Sequence, residues 1–265
     1  MDTTNAYFHF EVADNEPALS PRVHYHPNFE VYYLCNGSCR YFIESKTYTL
    51  SAGDIVVIPP GAIHKVIYES NTHSRLLFNC SADYIPASVF KYVDTLAYFP
   101  HSPETATRVE TLYKHLRQTI EQPDEFSQDS IRCYVMQLFL TMARNCVTEQ
   151  LPTGGSFVES ALAYIRNNYT SRLTLAETAK HCAVSPEHLS RVFKKETGFG
   201  FNEYLNILRL KKAEAILKSG SKISISQVSL LCGFNDSNYF STLYKKNYGI
   251  PPSKVKQQEE NEYVL

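Results

Sequence analysis

"SRVFKKETG" at residues 190–198 and "STLYKKNYG" at 241–249 spell nearly the same stretch twice. Ser, Lys, Lys and Gly are kept, while Phe193 gives way to Tyr244 and Val192 to Leu243, so an order of apolar, basic and terminating positions recurs. The start signals recur with it. In "LTLAETAKHCAVSPEHLSRVFKKETG", Thr174 with Glu177 three later forms a capping box, Ser185 followed by Pro186 is an N-cap with proline at the first helical position, and Gly198 is a stop. In "SISQVSLLCGFNDSNYFSTLYKKNYG", Ser224 with Gln227 is a second capping box, Asp236 an N-cap and Gly249 the stop. Each copy therefore reads as helix, short turn, helix. Cys182 and Cys232 lie 50 positions apart but Phe193 and Tyr244 lie 51 apart, so the second copy carries one more residue in its turn.

Such a unit braces one helix with another so that the N-terminal residues of the second can enter a major groove. Between the copies, "FNEYLNILRLKKAEAILKSG" places Tyr204, Ile207, Leu208, Ala215 and Leu217 at helical spacings and clusters Arg209, Lys211 and Lys212. About 17 helical residues at 1.5 Å each make a rod of roughly 25 Å, the right scale to hold two reading helices one DNA turn apart. Charge agrees: residues 1–150 hold 11 Lys and Arg against 17 Asp and Glu, net −6, whereas 151–265 hold 15 against 10, net +5. Only the second half is suited to a polyanion.

The chain has 265 residues, 43% hydrophobic and 20% charged, ordinary for a globular protein of two domains. No apolar run approaches the roughly 18 residues of a membrane span. "MDTTNAYFHFEV" lacks a basic start and an apolar signal core, so a cytoplasmic location and no membrane partner are expected. Seven cysteines without a disulfide or zinc spacing fit a reducing compartment, and Cys35 and Cys39 of "CNGSC" read as two reduced thiols flanking a turn.

"EQLPTGGSF" at 149–157 is a linker by composition, placed at 150–156. Before it, "FEVYYL", "RYFI", "TYTL", "DIVVIP", "HKVIY" and "RLLF" within residues 23–79 are short β-rich runs. Turn signals at Asn36-Gly37, Ala52-Gly53 and Pro60-Gly61 punctuate them, as in an antiparallel sandwich or barrel. The period then changes. Val109, Leu112, Tyr113, Leu116 and Ile120 form one helical stripe, and Ile131, Val135, Leu138, Phe139, Met142 and Cys146 another, predicting helices over 104–122 and 127–148 that either cap the barrel or pair with a second chain.

The helical half resembles the DNA-binding domain of the AraC/XylS family of bacterial transcription regulators. The resemblance rests on "LAETAKHCAVSPEHLSRVFKKETG", "YLNILRLKKAEAILK" and "CGFNDSNYFSTLYKKNYGIPPSK". It implies that Glu187, Ser190 and Arg191 of the first unit and Ser237, Asn238 and Thr242 of the second face base edges. Arg191 can pair twice with guanine, Glu187 can accept from cytosine and Asn238 can pair with adenine. Thr242 stands where many members carry arginine, which removes strong guanine reading from the second unit. Lys194, Lys195, Lys245 and Lys246, a turn further on, are expected on phosphates. Leu189, Phe193, Phe240 and Tyr244 are expected in the core.

"HYHPNFEVYYLCNG" puts His24, His26 and Glu30 at even offsets, one side of a strand, and "GDIVVIPPGAIH" adds His64. These segments resemble the two cupin motifs, which implies a small β-barrel over roughly residues 20–80. In metal cupins the matching residues bind iron, manganese, nickel or zinc, and three His with one Glu are chemically apt. The same groups suit a metal-free polar pocket. Pro27 interrupts the strand and Tyr68 replaces the late Asn of the motif. We therefore expect His24, His26, Glu30, Tyr32, Tyr41 and His64 to line an effector pocket without a metal cofactor. Tyr25, Tyr32, Tyr33 and Tyr41 alternate in the same strands, where their rings could stack on a sugar.

The expected architecture is multidomain: a cupin-like all-β barrel with added helices (1–100 and 101–149), the linker, and an all-α domain with two helix-turn-helix units (157–258). The expected function is sequence-specific, double-stranded DNA binding controlled by a small effector, with carbohydrate as one class, by a homodimer able to engage RNA polymerase. The other reading is a metal-dependent cupin enzyme, a dioxygenase or isomerase, with a helical interaction module. The first is preferred, and no catalytic residue is assigned.

Overall fold

A computed structural model describes residues 7–17, 26–92, 98–145, 156–220 and 223–255. The chain forms two compact units, Met1–Pro152 and Thr153–Leu265.

The first unit begins with eight strands: β1 (Phe8–Pro17), β2 (Phe29–Asn36), β3 (Ser38–Ile43), β4 (Lys46–Ser51), β5 (Ile55–Ile58), β6 (His64–Tyr68), β7 (Thr72–Cys80) and β8 (Tyr98–Phe99). They make two antiparallel sheets, ordered β1-β7-β2-β5-β8 and β4-β3-β6. Strand alternation divides the residues between two cores. Tyr32, Leu34, Val56, Ile58 and Leu77 of the larger sheet meet Cys39, Tyr41, Ile43, Leu50 and Val66 of the smaller one, which closes the barrel interior. The opposite face of the larger sheet offers Phe29, Val31, Tyr33, Ile55, Val57 and Phe78.

Two helices, α1 (Pro103–Glu121) and α2 (Ser127–Asn145), cover that face. Val109, Leu112, Tyr113 and Leu116 of α1 and Val135, Leu138, Phe139 and Met142 of α2 are buried on it, and Tyr113 stacks on Tyr33 at 4.7 Å. Each such side chain contributes about 1.5–3 kcal/mol, so the helix pair is integral to the unit. Of the two uses open to these stripes, capping the barrel is the one seen. Ile120 and Ile131 are only partly buried, and Cys146 lies outside the described residues.

β1 lies outside the 23–79 stretch read as strands. It pairs with β7 from Phe8↔Cys80 to Pro17↔Thr72, which adds an edge strand. β8 has two residues, too few to show a period, and is held by Asp54, whose carboxylate accepts from Tyr98 Oη (3.3 Å) and the His101 amide (2.7 Å). The β2–β3 turn needs glycine: Gly37 has φ 98°, and a Cβ there would sit 2.6 Å from Ser70 Oγ. Of the flanking thiols, Cys35 is exposed and Cys39 buried, and burial pushes Cys39 up to about 12.

The second unit contains α3 (Phe157–Asn168), α4 (Leu175–His181), α5 (Pro186–Thr197), α6 (Phe201–Lys218), α7 (Ile225–Leu231) and α8 (Ser237–Tyr248). Both capping boxes form, Thr174 with Glu177 and Ser224 with Gln227. Ser185 Oγ accepts from His188 N, and Asp236 accepts from the Asn238 and Tyr239 amides. Gly198 and Gly249 each end a helix at φ 77°. α6 serves both copies. Phe201 and Tyr204 near its start pack against Phe193 of α5, and Leu210, Ala213 and Leu217 near its end join Val228, Phe240 and Tyr244. At 18 residues it is about 27 Å long.

Candidate nucleic-acid interface and the barrel interior

The caps that start α5 and α8 also orient their first turns. At α5, Glu187, Ser190, Arg191, Lys194 and Lys195 are exposed, while Leu189 and Phe193 are fully buried. At α8, Asn238, Thr242, Lys245 and Lys246 are exposed and Ser237 is half-buried, above buried Phe240 and Tyr244. Each helix thus presents a polar first turn followed by a basic one. The helix N-terminus adds a partial positive charge, which favours approach to phosphates.

Two residues at equivalent positions escaped the sequence reading. Arg191 Nη2 donates to His188 Nδ1 at 3.2 Å, and Tyr239, half-exposed, accepts from Asn206 Nδ2 at 3.1 Å. Neither carries a sequence signal, because both contacts depend on helix geometry or on a distant helix.

The basic cluster of α6 divides. Arg209 is no solvated cation: its Nε donates to the Tyr169 carbonyl (2.7 Å) and its Nη2 to that of Ser171 (2.9 Å), and the guanidinium lies 5.6 Å from the Phe234 ring centre. It ties the end of α3 to α6 and to the second unit's turn. Lys212 lies 5.8 Å from the Tyr169 ring centre.

In the barrel, the even register of β2 turns Glu30 inward, opposite Asn79 of β7. Glu30 Oε1 accepts from Tyr41 Oη (2.8 Å), and Oε2 accepts from Asn79 Nδ2 (3.2 Å) and His26 Nε2 (3.1 Å). His26 Nδ1 donates to the Asn28 carbonyl and His64 Nδ1 to that of Ala62, both at 2.8 Å, leaving each Nε2 toward Glu30. His64 Nε2 is 3.9 Å from Glu30 Oε1. Burial alone would raise the Glu30 carboxyl, but the His26 hydrogen bond, the His64 charge and the Tyr41 hydroxyl outweigh it and hold it at about 2. For His26, burial opposes the charge and the Glu30 bond prevails, raising it.

The nitrogen and oxygen atoms of His26, Glu30 and His64 lie within 4.8 Å of one another, and carbonyl-anchored Nδ1 atoms are the usual second shell of metal-binding histidines. A divalent ion would fit that donor set. The His26–Glu30 pair and the Tyr41 and Asn79 bonds also satisfy the carboxylate with no ion. His24 lies outside the described residues.

Tyr32 and Tyr41 are buried edge-to-face on each other, ring centres 5.1 Å apart. Tyr33 points the other way, into the helix-covered core, so it cannot share a site with them. Asn79 was missed by the sequence reading because only the β2–β7 register places it beside Glu30.

An AraC-like ligand binding domain model matches residues 10–139, and a helix-turn-helix domain model matches 178–258. The chain belongs to the AraC family of transcription regulators. It is 25% identical over 260 residues to the HTH-type transcriptional activator RhaS of Escherichia coli, covering 91% of each chain. It is 37% identical over 150 residues to the uncharacterized HTH-type transcriptional regulator YijO of Escherichia coli, covering 56% of this chain and 52%, about half, of YijO. The crystal structure of ToxT from Vibrio cholerae covers 94% of this chain and 96% of its own at 14% identity, with a TM-score of 0.39.

As in an AraC-family regulator, a β-rich ligand-binding domain precedes a helical DNA-binding domain. The two matched regions account for the barrel with its helices and for most of the duplicated helical unit. No described helix is long and apolar enough to cross a membrane.

Proposed function

We propose that the protein reads two successive major grooves through α5 and α8 and that a small effector in the barrel controls this binding. The observation that carries the reading is the repetition itself: two caps, two exposed polar first turns and two lysine pairs are built on one shared helix, α6. Arg191, Glu187 and Ser190 read bases at one groove, and Asn238, Thr242 and Ser237 at the other. Lys194, Lys195, Lys245 and Lys246 hold phosphates.

The barrel residues His26, Glu30, Tyr41 and His64, with Tyr32 beside them and His24 in the same motif, form the effector's polar end without a resident metal. The three hydrogen bonds that Glu30 accepts from protein groups support this. A carbohydrate is the effector class, its hydroxyls exchanging with those bonds. The protein works as a homodimer in the cytoplasm, contacts RNA polymerase and has no catalytic role. The outer faces of α1 and α2, left exposed by the capping stripes, are available for pairing.

A ligand shifts DNA affinity only through unequal affinity for two arrangements of the chain. Footprinting of the full chain on DNA around its own gene, at two salt concentrations and with and without candidate sugars, tests the reading. A protected site over adjacent major grooves, with affinity falling steeply with salt, is expected. Equal binding to the site and to random duplex overturns it.

A further inference from the structure

The barrel interior has a second polar end. Along β6 and β7, His64 and Asn79 mark the Glu30 end, and four residues away on each strand stand Tyr68 and Arg75, about 13 Å along the sheet. Tyr32 and Tyr41 fill the middle and point opposite ways, Tyr41 Oη to Glu30 and Tyr32 Oη to Tyr68 Oη at 3.5 Å. Around Arg75 sit three neutral aromatic groups: its guanidinium lies 6.0 Å from the Tyr32 ring centre, and Tyr68 stacks on buried His73 at 3.8 Å.

Two polar atoms here are buried without a hydrogen-bond partner, Arg75 Nη1 and His73 Nδ1. A cation's orphaned donor in a dry interior is costly and calls for an acceptor. The carboxylate that Arg75 does engage, Glu11, bonds the other nitrogen, Nη2, from edge strand β1, and its side chain is 49% exposed and so screened by solvent. Within the barrel the groups beside the guanidinium, Tyr32, Tyr68 and His73, carry no negative charge. The group is also reachable, because Arg75 is 16% exposed and Tyr68 is half-buried beside the exposed β6–β7 turn.

We propose that the Arg75 end of the barrel is an oxyanion site, and that the effector carries a carboxylate or phosphate bound by Arg75 Nη1 and Tyr68 Oη. Ionised oxygens are pure acceptors and match a set of donors, and a guanidinium suits either group. Resting on the barrel as the effector domain, this narrows the effector to an acidic one, its acid group held at Arg75.

The test is calorimetric titration of the full chain with inorganic phosphate, sodium D-glucuronate and D-glucose at matched ionic strength. Saturable binding of phosphate or glucuronate is expected, and which of them saturates separates a phosphate ester from a carboxylic acid. Glucose, identical to glucuronate except for the acid, should bind at least tenfold more weakly than glucuronate if the carboxylate is the recognised group. Arg75→Gln should weaken anion binding at least tenfold, and Tyr68→Phe, which keeps the ring on His73, several-fold. Anion binding that is absent, or equal in wild type and both variants as an unspecific salt effect, overturns the proposal. If Arg75→Gln does not fold, Tyr68→Phe decides alone. An anion that binds through Arg75 without changing the operator footprint upholds the site and overturns the barrel's role as effector domain, so the two failures are distinct.

Discussion

The two helix-turn-helix units share a frame and differ in what they display on it. Both start on capping boxes, both recognition helices end at left-handed glycines, and in both a backbone bond closes the turn, from Val184 N to the Ala179 carbonyl and from Phe234 N to that of Ser229, each 3.0 Å. The differences are local. The first unit offers charged Glu187 and Arg191 where the second has neutral Asn238 and Thr242. At the end of the bracing helix the first has Lys180 and His181, with His181 stacked on Tyr164, whereas the second has Leu230 and Leu231, 70% and 52% exposed. Scaffold positions repeat because two cores must be packed alike, and display positions diverge because nothing in the core constrains them.

The turns provide the sharpest break in the symmetry. Ala183 and Gly233 occupy the same place after Cys182 and Cys232, and both are left-handed, at φ 55° and 88°. Only the second is also crowded, since a Cβ on Gly233 would lie 2.8 Å from the Tyr169 carbonyl oxygen and 2.9 Å from Thr170. That is the segment Arg209 grips. Gly233→Ala therefore combines backbone strain with a clash against fixed main chain and should destabilise the second unit by about 3 kcal/mol. The mirror change, Ala183→Gly, relieves a left-handed residue at an exposed position and should be neutral or stabilising by up to about 1 kcal/mol. Urea unfolding of the two full-length variants measures both. Similar losses in each would mean that the turns are not distinguished by the approach of Tyr169.

Display should separate the units on DNA. Arg191→Ala is expected to cost about 1–3 kcal/mol at the specific site and to relax base preference there, because a guanidinium that can bond guanine twice is lost. Thr242→Ala, at the equivalent position, should cost about 0.5 kcal/mol, the scale of one modest hydrogen bond. Competition binding with single-base variants of the site compares them. A larger loss at Thr242 would reverse the assignment of the stronger reader. His188→Ala probes the same asymmetry more finely: if its contact aims Arg191, base preference should relax at the position Arg191 reads while binding to random duplex stays unchanged.

How much of this was legible beforehand follows from the range of each interaction. Caps, stops and helical stripes are local, so the duplicated units could be placed from Thr174, Ser185, Ser224 and Asp236 alone, and each cap forms as read. The strand runs of β2 to β7 were legible from turn residues and β-branched content. β1 was not separated from its surroundings, although Phe8 and Phe10 alternate in "FHFEV", because its partner is about 60 residues away in β7. The same holds for chemistry. His26, Glu30 and His64 announced themselves by motif, but Asn79 and Arg75 join the interior only through strand register. Arg209 stands in the sequence as one member of a basic cluster, and only the Tyr169 and Ser171 carbonyls around it make it a tie between helices. A sequence shows which groups are available and leaves long-range pairing to decide which of them meet.

The smallest effect concerns the positions at which the copies agree. Lys194 and Lys245 correspond across the repeat, and both are exposed in the last turns of helices whose carbonyl ends face them. If each neutralises one phosphate, Lys194→Ala and Lys245→Ala should weaken specific and random duplex alike, by the same modest factor. Each should also lower the slope of log affinity against log salt by about 0.9. Titrations at several salt concentrations read this directly, because the slope counts phosphates whatever the sequence. Unequal slopes for the two variants would show that the recognition helices approach the duplex to different depths, so that the asymmetry of the display extends into the frame.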